Sequence, residues 1–135
     1  VIVTDADIVG PWVADRNGHD YLSGSCTALG WARHGVLVAG VLFNEYNGRS
    51  VQMHVASDGS RHWMTREFLR ACFWYPFEQL GVRKIIGLVD STNHDAQRFD
   101  EHLGFVRECV IKDAGKVEDL IVYSMTRQQC RFLKG

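Results

Sequence analysis

Apolar positions change their period several times along this chain. Residues 1–3, 28–33, 36–43 and 50–56 are short apolar stretches. In the last of them Val51, Met53 and Val55 alternate with Gln52, His54 and Ala56, the pattern of a strand with two different faces. His34-Gly35 makes a tight link between the second and third stretches. Asn47-Gly48, a strong hairpin signal, joins the third to the fourth. These three stretches predict an antiparallel meander. Before them, Ile8, Trp12 and Val13 predict the buried face of a helix, with Thr4 as N-cap and Asp5 and Asp7 close to its positive end. Gly10 and Pro11 predict that this helix is weak or kinked, and Asn17-Gly18 that it ends there.

The loop Ser57-Asp58-Gly59-Ser60 then predicts the opening of the longest helix. Met64, Phe68, Cys72 and Phe73 recur at helical spacing, and Leu69 and Leu80 widen the stripe. Pro76 should bend its last turn and Gly81 should stop it. Residues 84–89 read as a buried strand. Ser91 or Asn93 starts a further helix with Ala96, Phe99 and Leu103 inward and Gly104 at its end. Residues 105–112 and 120–125 form a last hairpin across 113–119. A helix between two long strands implies a parallel crossover inside a mixed sheet.

The chain of 135 residues matches one domain, and 46% hydrophobic with 23% charged residues is an ordinary globular mix. The formal charge of −1 argues against a surface that tracks nucleic-acid phosphates, so no nucleic-acid partner is expected. No apolar run approaches the ~20 residues of a membrane span, and the first residues lack a signal pattern. The four cysteines form no CxxC pair and the six histidines show no short ligand spacing. Free thiols, a reducing cytoplasmic compartment and no metal are the corresponding expectations.

Residues 80–105, LGVRKIIGLVDSTNHDAQRFDEHLGF, resemble the second half of the GNAT superfamily of N-acetyltransferases. The positions that carry the likeness are Leu80-Gly81, Asn93, Ala96, Gly104 and Phe105. Residues 75–81, YPFEQLG, resemble the helix end of its ribosomal-protein-acetyltransferase branch, and the whole is similar to short acetyltransferase-like proteins of tailed phages. The resemblance implies one α/β (α+β) domain over residues 1–135. Its sheet would be mixed and mostly antiparallel, of six to seven strands, with helices on both faces and a splayed central parallel pair.

The same resemblance implies acetyl-CoA as co-substrate. Its pantetheine arm would lie between the strands at 50–56 and 84–89 like an added strand. Gly59, Ser60, Arg61 and Arg66 would hold the pyrophosphate at the start of the long helix. Asn93 would offer its amide to the arm, and a backbone N–H near Val55 would polarise the thioester. His54, with a reference pKa of about 6.5, is the first candidate base and Glu45 the second. Each also has a plain structural reading: His54 as a hydrogen-bonded sheet residue, Glu45 as a solvated hairpin charge, Asn93 as a helix cap, and Arg61 and Arg66 as solvent-facing cations.

Two positions depart from the family pattern. Trp63 and Thr65 stand where small residues usually let phosphate approach, so Trp63 either occludes the loop or packs inward. Asp100 stands where a Tyr often protonates the leaving thiolate, and an acid there serves only with a strongly raised pKa. The implied function is acetyl transfer from acetyl-CoA to a primary amine, on a protein, peptide or small molecule. The departures also admit a binding or assembly protein that has lost catalysis, for example in a phage particle. Such folds often pair through their last strands, so a homodimer is a further expectation.

Overall fold

The computed structural model describes residues 1–18, 20–60 and 63–133. Seven strands form one sheet: β1 (Ile2–Val3), β2 (Thr27–Arg33), β3 (Val36–Asn44), β4 (Ser50–Ser57), β5 (Lys84–Asp90), β6 (Val106–Ile111) and β7 (Leu120–Thr126). Their spatial order is β1-β2-β3-β4-β5-β7-β6. Only β4 and β5 run parallel; the other neighbours are antiparallel, including the expected meander β2-β3-β4. The helices are α1 (Ala6–Asn17), α2 (Arg66–Trp74) and α3 (His94–Leu103). This is the mixed sheet with helices on both faces that the sequence implies.

Helix α1 covers one face of β2, β3 and β4. Val9 and Val13, one turn apart, pack on Ala28, Leu42 and Ala56. Gly30 and Gly40 let the helix approach, since a Cβ on Gly40 would stand 2.6 Å from Val13 and 3.0 Å from Val9. Gly40→Ala is therefore expected to push α1 off the sheet and cost about 1–3 kcal/mol in urea unfolding. Two expectations for this helix are corrected. Its N-cap is Asp5, not Thr4: the Asp5 carboxylate accepts from the Asp7 N–H at 2.9 Å. Ile8 is 56% exposed and does not belong to the buried face, which Val9 and Val13 form. The helix also runs on through Pro11, held by this packing.

Helices α2 and α3 cover the other face. Phe68, Phe73 and Leu103 join Val41, Phe43, Ile85 and Tyr123 in the larger core. The start of α2 is also corrected. The helix opens at Arg66 behind the N-cap Thr65, whose Oγ1 accepts from the Phe68 N–H at 3.1 Å. Met64 thus precedes the helix, although its side chain still packs against the core. At the other end Pro76, which has no N–H to donate, lies in one π-helical turn, Tyr75–Gln79, and the chain leaves through Gly81 at φ +71°. The four cysteines are free thiols, and burial raises the pKa of Cys72. No helix among the described residues is long and apolar enough to cross a membrane.

Candidate active site at the separated strands

The parallel pair is short. Ser50, Val51 and Gln52 stand beside Lys84, Ile85 and Ile86, and pairing stops there. Strand β4 continues to Ser57 and β5 to Asp90, so a gap opens between them. The hydrogen-bond pattern shows which groups face it. The Asp58 N–H donates to the Val38 carbonyl at 2.8 Å, continuing the β3–β4 ladder. By alternation His54 and Ala56 bond to β3, while Val55 and Ser57, beyond the paired segment, turn their N–H and C=O groups toward the gap. The Val55 carbonyl accordingly accepts from the Asn17 side-chain amide at 3.3 Å, a contact from the end of α1.

On the α2 side the loop after β4 already uses some of its donors. The Gly59 N–H donates to Ser57 Oγ at 3.1 Å and the Ser60 N–H to Asp58 Oδ1 at 2.9 Å. Gly59 has φ +91°, and among the described residues beyond its chain neighbours no atom lies within 4 Å of where a Cβ would stand. Arg66 is exposed in the first turn of α2. The Arg61 position lies outside the described residues. Trp63 packs inward: it is 4% exposed, its ring meets Phe68 and Phe99 at 6.2 and 5.4 Å, and its Nε1 donates to the Ser60 carbonyl at 2.8 Å. Asn93 caps α3, its Oδ1 accepting from the Ala96 N–H at 3.1 Å. That bond uses the oxygen, and the side-chain NH2 keeps its donors.

On the α1 side His54 is half-buried, with Nε2 and Asn44 Oδ1 2.9 Å apart. Asn44 and Glu45, at the end of β3, line a cavity of about 130 Å³ with Asp20, Tyr21, Ser25 and Cys26. Glu45 has φ +53°. The Asp7 carboxylate accepts from the Tyr21 hydroxyl at 2.8 Å, and that bond raises the phenol to about 12. A larger cavity, about 410 Å³, lies between α2 and the β1–β2 edge, where Trp74 and Tyr75 line it beside Ile2 and Leu29. Strands β3 and β4 separate it from the gap.

Asp100, on α3, packs over β5. Its Oδ2 lies 3.2 Å from where a Cβ of Gly87 would stand, and Gly87 is the first residue of β5 beyond the paired segment. Burial, aided by the neighbouring charge of Glu101, raises the Asp100 carboxyl to about 7. Beside it the buried Tyr123 donates to Glu101 Oε2 at 2.6 Å and accepts from Arg107 at 3.4 Å. Sequence reasoning missed this network and the Asn17 contact, because each joins residues far apart in the chain. It also missed Asp90, which organises the loop after β5, although Asp90-Ser91-Thr92 has the form of a side-chain-bonded turn.

No family model matches the sequence, and no curated protein matches it. Solved structures do. A spermidine N-acetyltransferase mutant, SpeG F149A from Vibrio cholerae, is 15% identical with a TM-score of 0.77, over 99% of this chain and 98% of that one. Spermidine N-acetyltransferase from Vibrio cholerae in complex with CoA and spermine is 19% identical with a TM-score of 0.65, over 78% and 68%. The ribosomal-protein-S5-alanine acetyltransferase from Vibrio fischeri is 14% identical with a TM-score of 0.65, over 78% and 64%. Strand order, the single parallel pair and the agreement with these structures establish that the chain has the GNAT N-acetyltransferase fold.

Proposed function

We propose that this protein is an acetyl-CoA-dependent N-acetyltransferase acting on a primary amine. One observation carries the reading: β4 and β5 part after three paired residues, and the Asp100 carboxyl packs over Gly87, the first β5 residue beyond that pairing. The open backbone edge of β4 suits a ligand arm that pairs like a strand, so the residues present fit the group. Val55 would bond the arm and polarise the acyl oxygen, with Asn93 donating from α3. Arg66 would face the phosphates, joined in this reading by Gly59, Ser60 and Arg61. Acetyl-CoA supplies an acyl group already activated as a thioester.

The acceptor would enter from the α1 side. Glu45 and Asp20 line the cavity there and favour a cationic amine in its approach. His54, or Glu45, would take the proton that the amine sheds on attack. Asp100 would give its proton to the departing sulfur and regain one from water afterwards. The side chains thus divide the work: one face removes a proton and the other returns one.

Calorimetric titration with acetyl-CoA, with free CoA as comparison, tests the reading. A micromolar dissociation constant, weakened when Asn93 is changed to Ala, supports it; no heat and no thermal stabilisation at high ligand overturns it. A ligand at one hundred times its dissociation constant adds about 2.7 kcal/mol, so silence there is decisive. The loop contributes a further expectation. Asp58 places a carboxylate beside the proposed phosphate position, bonded to the Ser60 N–H. Asp58→Asn keeps the turn and removes the charge, and should tighten CoA binding about two- to fivefold in the same titration.

A further inference from the structure

The cavity of about 410 Å³ beside α2 has no part in the proposed reaction, and it is of a size that takes a small molecule. Ile2, in the two-residue edge strand β1, and Leu29 of β2 line it from the sheet. From the helix come Glu67, Arg70, Ala71 and Trp74, spaced along one flank of α2. Ala71 is the smallest of them and stands one turn from both Glu67 and Trp74. Beyond Trp74 the helix widens into the π-helical turn, whose Leu80 N–H donates to the Tyr75 carbonyl at 3.0 Å. Tyr75 and Gln79, the first and last residues of that turn, both line the cavity. Such turns are frequent at functional sites.

The lining divides by chemistry. Trp74 is 47% exposed, so a large apolar ring meets water beside Ile2, Leu29 and Tyr75. Thr27 Oγ1 donates to the Tyr75 hydroxyl at 2.8 Å and ties that ring to β2. Glu67 and Arg70 supply the charges. They stand three residues apart on α2, and neither forms an ion pair among the described residues. A carboxylate and a guanidinium at that spacing, next to an apolar hollow, complement a ligand with an ammonium and a carboxylate on one carbon and a ring beyond it. Arg70 disfavours a plain cation there, and Glu67 a plain anion.

We propose that this cavity is a binding site for a free aromatic α-amino acid: Arg70 takes the carboxylate, Glu67 the ammonium, and the ring lies against Trp74, Tyr75 and Leu29. Ring burial and aromatic contact supply affinity, and the two charged contacts supply selectivity. Strands β3 and β4 stand between this site and the gap, so an amino acid held here is a ligand apart from any acetyl acceptor.

The test is an NMR titration of the full chain, followed at the tryptophan indole N–H signals, with Trp74→Phe to assign the one that matters. L-phenylalanine is the probe. Two analogues accompany it: 2-phenylethylamine, which lacks the carboxylate, and 3-phenylpropionate, which lacks the ammonium. Phenylalanine should move the Trp74 signal with a dissociation constant below about 1 mM, and each analogue should bind about tenfold more weakly. Arg70→Met should weaken phenylalanine about tenfold and leave 2-phenylethylamine within about twofold. Glu67→Gln should weaken phenylalanine likewise and leave 3-phenylpropionate within about twofold. Both residues are exposed, so their replacement leaves the core intact. A Trp74 signal that stays still at about 20 mM phenylalanine overturns the proposal. So does equal affinity for phenylalanine and either analogue, or unchanged affinity in either charge variant. Binding is read without acetyl transfer, so the result stands apart from the acetyltransferase reading.

Discussion

Asp100→Asn is expected to cut acetyl transfer about 10²–10⁴-fold while making the protein more stable at alkaline pH. Both effects come from one carboxyl. Burial raises it to about 7, so at neutral pH a large share is protonated and able to donate. The raised value has a cost in stability. Between about pH 4 and pH 7 the folded chain keeps a proton that the unfolded chain has released. Stability therefore falls as pH rises through that window, and the deficit is complete above about pH 7. An amide has no charge to bury and avoids the deficit. At pH 8 the Asn variant should exceed the parent by about 4 kcal/mol, and at pH 4 the two should nearly coincide. Urea unfolding at the two pH values reads the difference. The rate of the parent should decline as pH climbs past about 7, a limb the Asn variant should lack. Equal stability of parent and variant at pH 8 would show that the carboxyl carries no such burden.

Trp63→Ala is expected to destabilise the fold by about 3–5 kcal/mol and to leave CoA binding no tighter. The indole lies between Phe68 of α2 and Phe99 of α3 and is bonded to the Ser60 carbonyl. Removing it leaves a cavity where the two helices meet and frees the loop to move. The sequence left two roles open for this residue, a plug in the phosphate loop or an inward-packed ring, and the structure has the second. A plug would behave in the opposite way: its removal would tighten CoA binding at little cost. Urea unfolding and calorimetry on one preparation separate the two roles.

The comparison of sequence and structure turns on what local pattern can carry. The alternation of Val51 and Met53 against Gln52 and His54 fixes the faces of β4, because a strand shows its two sides directly. Helix α1 does not. Ile8 with Trp12 and Val9 with Val13 are equally good one-turn pairs, and the choice falls to Val9 and Val13 because Gly30 and Gly40 lie beneath them. Met64 shares a spacing with Phe68, which hid the cap at Thr65 and extended the helix too early. In the site, the position of Asp100 came through the resemblance, but its altered acidity depends on burial against β5, which no local pattern encodes. Asn17 reads as a helix end and nothing more until β4 is set beside it.

The brief pairing of β4 with β5 also bears on how the molecule comes apart. The sheet is two ribbons, β1 to β4 and β5 to β7, sewn together by three residues on each side and by the helices that lie across the seam. Hydrogen exchange should then resolve two cooperative blocks, with the seam opening before either ribbon dissolves. A ligand lying in the seam would act as a suture. It would draw the two blocks into a single unfolding event, a change in cooperativity that a shift in melting temperature alone does not report.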